Sequence, residues 1–198
     1  MLENTNRYFI LNKPTNMVSQ FVSPYKVRLL GELEFQFPIG THAIGRLDSE
    51  SEGLLLLTTN KKITRLLFQE GKKHARNYLV MVKGIVTTET LILLKLGISI
   101  KIKGGGQYNS IPKAIELVEN PLSLYKFAED SRSKFPHTWL LITLTEGKFH
   151  QVRKMVFTAG HRCFRLVRLS IENLQLDNLP LGEVKEIEES DFFRLLEL

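Results

Sequence analysis

The chain has 198 residues, 43% hydrophobic and 24% charged, with a formal net charge of +6 at pH 7. Such values suit a globular protein of one domain, or of two subdomains sharing one sheet, and they exclude a disordered chain. One cysteine, Cys163, excludes an intramolecular disulfide and a cysteine metal cluster. No stretch approaches a membrane span, and the N-terminus lacks the apolar core of a signal peptide, so a cytoplasmic protein is expected.

"RYFILNKP", residues 7–14, reads as a strand ended by proline, and "NMVSQF" as a second short strand. "KVRLLGEL" reads as a short helix or a turn. "THAIGRLD" leads into "GLLLLTT", a continuous apolar run of strand length. Asn60 is a good cap for a helix over "KKITRLLFQEG", with Ile63, Leu66 and Leu67 on one face and Gly71 at its end. "RNYLVMVKG" is the next strand, and "TTETLILLKLG" a helix capped by Thr87 or Thr88. "IKIKGGGQYNS" reads as an exposed loop, "IPKAIELV" as a strand, and residues 119–136 as irregular. "TWLLITLTEG" is a strong strand. "KFHQVRKMVFTAG" fits a helix ended by Gly160 with Val152, Met155 and Val156 inward. "CFRLVRLSIENLQL" has strand character and "DFFRLLEL" is a terminal helix. Strands and helices mix without regular alternation, which predicts an α+β fold with a mixed, mainly antiparallel central sheet flanked by helices.

The positive charge is clustered. Residues 61–84 hold seven Lys or Arg against the single acid Glu70, and residues 146–168 hold six against Glu146. A solvated face accounts for one such cluster; two favour a polyanionic partner.

Among four aspartates, Asp48 alone precedes a fully apolar strand, in "GRLDSESEGLLLLTTN". A turn aspartate bonding its own backbone is the ordinary reading; a carboxylate held at the mouth of a dry pocket is the functional one. Glu50 and Glu52 follow on the same loop and are expected to face water. The five histidines show no metal-ligand spacing, and no phosphate-binding glycine loop, dinucleotide fingerprint or nucleophile elbow is present. Any chemistry is therefore expected to run without metal or cofactor. Tyr78 opens the alternation Tyr78, Val80, Val82. It is either core packing or a stacking platform for a base. Arg153 falls near a helix start, where the helix dipole does not favour a cation, so a specific anion partner is expected.

"GRLDSESEGLLLLTTN", "RNYLVMVKG" and "LTEGKFHQVRKM" resemble, in order and spacing, the three signature blocks of bacterial pseudouridine synthases of the RsuA type. "ILNKP" and "LVRLSIENLQLDNLPLGE" are similar as well, so the resemblance runs from about Arg7 to Glu183. It implies a pseudouridine synthase fold over residues 1–198, with the active-site cleft between two subdomains. The S4 RNA-binding domain of many members is not expected, as in the E-type branch that acts on large-subunit ribosomal RNA. Phe149-His150 departs from the expected third block, while Gln151-Val152-Arg153 is kept.

The implied reaction isomerises uridine to pseudouridine within RNA: N1–C1′ breaks, the uracil turns, and C5 bonds to C1′. The matching position makes Asp48 the essential aspartate, attacking C1′ or abstracting a proton from the adjacent sugar carbon. Arg153 matches its ion-pair partner, and such a cation favours the ionised carboxylate. Tyr78 matches the tyrosine stacking on the flipped uracil, and Val152 the aliphatic residue on the other side of the pocket. Arg46 matches an arginine that helps hold the RNA, and Leu47 and Gln151 belong to the same substrate contacts. Lys61, Lys62, Arg65, Lys72, Lys73, Arg76, Lys148, Lys154, Arg162 and Arg165 become candidate phosphate contacts. A monomer acting on large-subunit ribosomal RNA, with no membrane, is expected. The alternatives are another RNA (small-subunit ribosomal RNA or tRNA) or a non-catalytic ribosomal-RNA-binding or assembly protein on the same fold.

Overall fold

The structure, a computed structural model, describes residues 6–68, 73–129 and 135–198. In chain order the elements are β1 (Tyr8–Lys13), β2 (His42–Ile44), β3 (Glu52–Thr58), α1 (Ile63–Phe68), β4 (Arg76–Lys83), α2 (Thr88–Leu96), β5 (Ile98–Lys101), β6 (Gln107–Ser110), β7 (Ala114–Val118), β8 (His137–Leu144), α3 (Gln151–Thr158), β9 (Cys163–Ile171), β10 (Leu174–Gln175), β11 (Val184–Ile187) and α4 (Glu189–Leu196). Single 3-10 turns lie at Leu30–Glu32 and Pro121–Ser123. The α+β class with a mixed sheet, expected from the mixing of strand and helix signals, is found. The chain divides into two compact units, residues 1–74 with 170–198, and residues 75–169.

In the first unit β1 pairs antiparallel with β11 and with β3, and β2 pairs antiparallel with β3. Every residue of β1 and β3 is buried, which explains the continuous leucine run: both faces of these strands are covered. Side chains alternate between faces along a strand. Phe9, Leu11, Leu55 and Leu57 join Met17, Leu30 and Leu47 in one cluster, sealed by Phe21, Phe35 and Phe37. Tyr8, next along β1, meets Phe192 of α4 with ring centroids 4.6 Å apart. α4 therefore covers part of the opposite face with the apolar side that "DFFRLLEL" encodes.

In the second unit β4 pairs with β8, β8 with β7, and β5 with β6, all antiparallel. Its core gathers Tyr78, Val80 and Val82 of β4, Leu140, Ile142 and Leu144 of β8, and Val152, Met155 and Val156 of α3. Thr87 caps α2 by accepting from the Thr90 amide, and Gly97 ends it at φ 102, a region costly to any residue with a Cβ.

Several boundaries differ from the sequence reading. "NMVSQF" is not a strand: Met17 makes one isolated bridge to Arg28 while its buried side chain anchors a bend that starts at Asn16, φ 58. "IKIKGGGQYNS" is not wholly a loop. Its ends extend as β5 and β6, and the glycines form the turn of that hairpin. α3 starts at Gln151 because His150 is left-handed, φ 55. The helix after Asn60 starts at Ile63, and its expected end at Gly71 lies outside the described residues. β2 and β11 had no sequence signal.

Candidate active site

In the first unit the turn between β2 and β3 carries the Arg46-Leu47-Asp48 triplet. The chain leaves β2 through Gly45 at φ 71. Leu47 is 7% exposed and belongs to the phenylalanine-rich cluster. Its backbone is held twice by the buried hydroxyl of Ser19: the Leu47 amide donates to Ser19 Oγ at 3.0 Å, and Ser19 Oγ donates to the Leu47 carbonyl at 2.9 Å. The Ser51 amide donates to the Asp48 carbonyl at 3.0 Å and closes the turn. Beneath it lies Lys13, 0% exposed, whose ammonium donates to the carbonyls of Pro14 (2.8 Å), Met17 (2.7 Å) and Ser49 (3.4 Å). The residues on either side of Asp48 are thus pinned, while Asp48 itself is half-buried and Arg46 exposed.

Leu47 corrects one expectation: buried in the cluster, it anchors the triplet and offers RNA little surface. Glu52 corrects another. It is 6% exposed as the first residue of β3 and does not face water, whereas Glu50 is exposed.

In the second unit Tyr78 (9% exposed) and Val152 (4%) share one apolar cluster, so both side chains expected to flank a base occur in the same packing environment. Val152 stands in the first turn of α3, where the chain makes a left-handed bend at His150. That bend is braced by Gln151, which is 4% exposed. Its Oε1 accepts from the Lys148 amide at 2.8 Å, and its Nε2 donates to Ser110 Oγ at 2.6 Å and to Glu146 Oε1 at 2.9 Å. Ser110 Oγ in turn meets Met155 Sδ at 3.1 Å. Glu146 also accepts a hydrogen bond from the Tyr108 hydroxyl, which holds that phenol protonated above its usual range. The role expected for Gln151 therefore changes: its donors are spent inside the chain, and it fixes the turn from which Arg153 projects. Arg153 is half-buried and its Nη1 donates to Cys163 Sγ at 3.6 Å.

The candidate phosphate contacts separate by exposure. Lys61, Lys62, Arg65, Lys73, Lys148 and Arg162 are exposed. Lys154 is half-buried, donates to the Lys101 carbonyl at 2.8 Å, and lies 5.3 Å from the Phe149 ring centroid. Arg76 is 7% exposed at the start of β4, too buried for an open phosphate site. Arg165 is engaged within the unit: its Nη1 donates to the Phe127 carbonyl at 2.7 Å, and its guanidinium lies 5.8 Å from the Tyr125 centroid, tying down residues 121–129. Lys72 lies outside the described residues. Among the described residues, no three His, Cys, Asp or Glu side chains stand together as a metal site, and no helix is long and apolar enough to cross a membrane.

Sequence reasoning missed Lys13, Ser19, Ser110 and Glu146. Lys13 alone carried a signal, a lysine at the end of an apolar strand in "ILNKP".

Three comparisons bear on this geometry. A family model described as RNA pseudouridylate synthase matches residues 7–157. A protein of Vibrio vulnificus named ribosomal large subunit pseudouridine synthase E is 34% identical over 91% of this chain and 75% of its own. One of the same name from Xanthomonas axonopodis pv. citri is 31% identical over 86% and 88%. A crystal structure titled as a pseudouridylate synthase superposes with a TM-score of 0.73 at 24% identity, covering 98% of this chain and 76% of that one; it shows the shared fold.

Proposed function

Because the chain belongs to the RNA pseudouridylate synthase family, we propose that it converts a uridine of large-subunit ribosomal RNA to pseudouridine. The observation that carries the choice of RNA is the likeness at 31–34% identity to proteins named for that substrate. The reaction breaks N1–C1′, forms C5–C1′, releases the C5 proton to water and takes up a proton at N1, so it is a balanced isomerisation that consumes no co-substrate.

Asp48 is the essential carboxylate, Tyr78 the ring that stacks on the flipped uracil, Val152 the aliphatic contact opposite it, and Arg153 the cation for the carboxylate. Arg46 holds the RNA while the base is extruded, a step costing a few kcal/mol. Lys61, Lys62, Arg65, Lys148, Lys154 and Arg162 bind phosphates. The reading is supported by the immobilised turn. A reacting group must be held within a fraction of an ångström of its working position, and the backbone just before Asp48 is tied to Ser19 while the Asp48 carbonyl accepts from the Ser51 amide. Residues 1–198 act as one catalytic domain and as a monomer in the cytoplasm.

The test is tritium release from transcripts labelled at uridine C5. Wild type releases tritium from large-subunit ribosomal RNA, and Asp48→Asn releases none. Release only from small-subunit ribosomal RNA or tRNA would overturn the choice of substrate. Equal release by Asp48→Asn would overturn the role of Asp48.

A further inference from the structure

The second unit has a hollow of about 250 Å³ lined by His150, Arg153, Lys154, Phe157, Arg162 and Cys163. Three of these six are permanent cations and none is an acid. Phe157 is 74% exposed although its helix neighbours Met155 and Val156 are buried. Beside the hollow, Phe149 is 64% exposed and stacks on His150, with centroids 3.9 Å and planes 20° apart. The left-handed backbone at His150 is unfavourable for a residue with a Cβ, yet it holds this stacked pair at the rim.

Phosphate alone would satisfy the cations and leave the rings in water. An apolar partner would cover the rings and strand the cations. A backbone phosphate with a base attached satisfies both, which is how single-stranded nucleic acid is held. The volume falls below the range of about 300–1,000 Å³ that encloses a drug-sized molecule, and suits a single base. Lys154 spends one of its three ammonium donors on the Lys101 carbonyl, and Arg162 is exposed, so both have donors to offer a phosphate.

We propose that this hollow binds one unpaired nucleotide of the substrate RNA other than the uridine that reacts. Its phosphate lies between Lys154 and Arg162 and its base lies on Phe157, making a subsite that helps choose the modified position. The inference rests on the reading of the protein as an RNA pseudouridine synthase.

Cys163, the only cysteine of the chain, lines the hollow and is part-exposed, so its modification reports occupancy. The experiment follows N-ethylmaleimide addition to Cys163 with and without a protein-free large-subunit ribosomal RNA transcript, with binding confirmed by fluorescence anisotropy. The bound transcript is expected to slow the addition about tenfold, in wild type and in Asp48→Asn alike. Phe157→Ala is expected to raise KM for tritium release about tenfold, the scale of one lost base stack, with a much smaller effect at saturating RNA. Phe157→Tyr keeps the ring and restores KM, whereas Phe157→Leu does not. Ile39→Ala removes an exposed apolar side chain of the other unit and changes neither quantity. An unchanged rate of Cys163 addition with RNA bound would overturn the subsite, as would an unchanged KM in Phe157→Ala. So would protection that requires ribosomal proteins. Protection without tritium release would keep the subsite and remove the activity; release without protection would do the reverse.

Discussion

The turn before β3 and the turn before α3 are both immobilised from below, by opposite means. In the first, a buried ammonium and one hydroxyl hold backbone groups, and Leu47 is an apolar anchor. In the second, a neutral amide holds a hydroxyl, a carboxylate and a backbone amide. A lysine offers three donors and no acceptor, so it can gather three carbonyls, here two from the bend after β1 and one from the turn before β3. A glutamine offers both, so it can join a donor to two acceptors. Each turn is braced by the group whose hydrogen-bonding inventory fits its surroundings.

Breaking the charged brace is expected to have the larger effect. Lys13→Met keeps the volume but leaves the Pro14, Met17 and Ser49 carbonyls without their charged donor. Hydrogen bonds to charged groups contribute about 1.5–3 kcal/mol each, and the 3.4 Å contact to Ser49 little. Removing the buried charge itself is favourable and offsets part of the loss. A net destabilisation of about 3 kcal/mol is expected, a fall of roughly 6–12 °C in Tm, measured by calorimetry. A variant as stable as wild type would show that the ammonium only fills space.

Breaking the neutral brace is the next test. Gln151→Ala is expected to cost about 2 kcal/mol, because Ser110, Glu146 and the Lys148 amide each lose a partner in a largely buried site. Gln151→Glu sharpens the contrast. It places a second carboxyl next to Glu146, where the amide nitrogen now stands at 2.9 Å. Burial and the neighbouring carboxylate raise the folded-state pKa of the new group above its unfolded value. The loss relative to wild type is therefore smallest at low pH, where one donor is missing, and grows as pH rises through the raised value. Urea unfolding at pH 4 and pH 8 checks the sign; the same deficit at both would remove the electrostatic account.

These variants also mark what could be read from the sequence. The leucine run and the alternation at Tyr78 were legible because burial leaves a pattern in apolar residues. α4 was legible for the same reason. β2 has three residues and β11 four, and both include half-buried positions, so neither shows a period long enough to register. For the site, sequence spacing marked the triplet but not the direction of its side chains. Leu47, Gln151 and Arg76 were grouped with RNA contacts because they adjoin or resemble exposed cations and polar groups. A polar residue's neighbours in the chain do not reveal which groups of the fold meet its donors. Lys13 shows the converse: a lysine at the end of an apolar strand becomes explicable only when the carbonyls converging on it are seen.

Ser19→Ala tests the smaller component of the charged turn. The hydroxyl both donates to and accepts from the backbone of Leu47, so its loss leaves two buried backbone groups without that partner. About 1–2 kcal/mol is expected, with the Leu47 side chain still anchoring the turn. Amide exchange at Leu47 is expected to quicken by more than exchange in β4, which belongs to the other unit. Equal quickening in both would mean that the bond supports global stability instead of this turn.

The Arg7–Glu186 pair joins the residue before β1 to β11 at 2.6 Å with both side chains nearly half-exposed, and it sets the scale of the same charge chemistry in water. The hydrogen bond from Arg7 holds the Glu186 carboxyl below its ordinary pKa. Its contribution is therefore present at neutral pH and is lost as pH falls below the ordinary carboxylate value and through the lowered one. Solvent screens an exposed pair, so Glu186→Gln is expected to move Tm by under about 2 °C at pH 7 and to leave no difference at the acid end. If Glu186→Gln cost as much as Lys13→Met, burial would not be what separates the two kinds of brace. The advantage of the Lys13 site would then lie in the number of its acceptors alone.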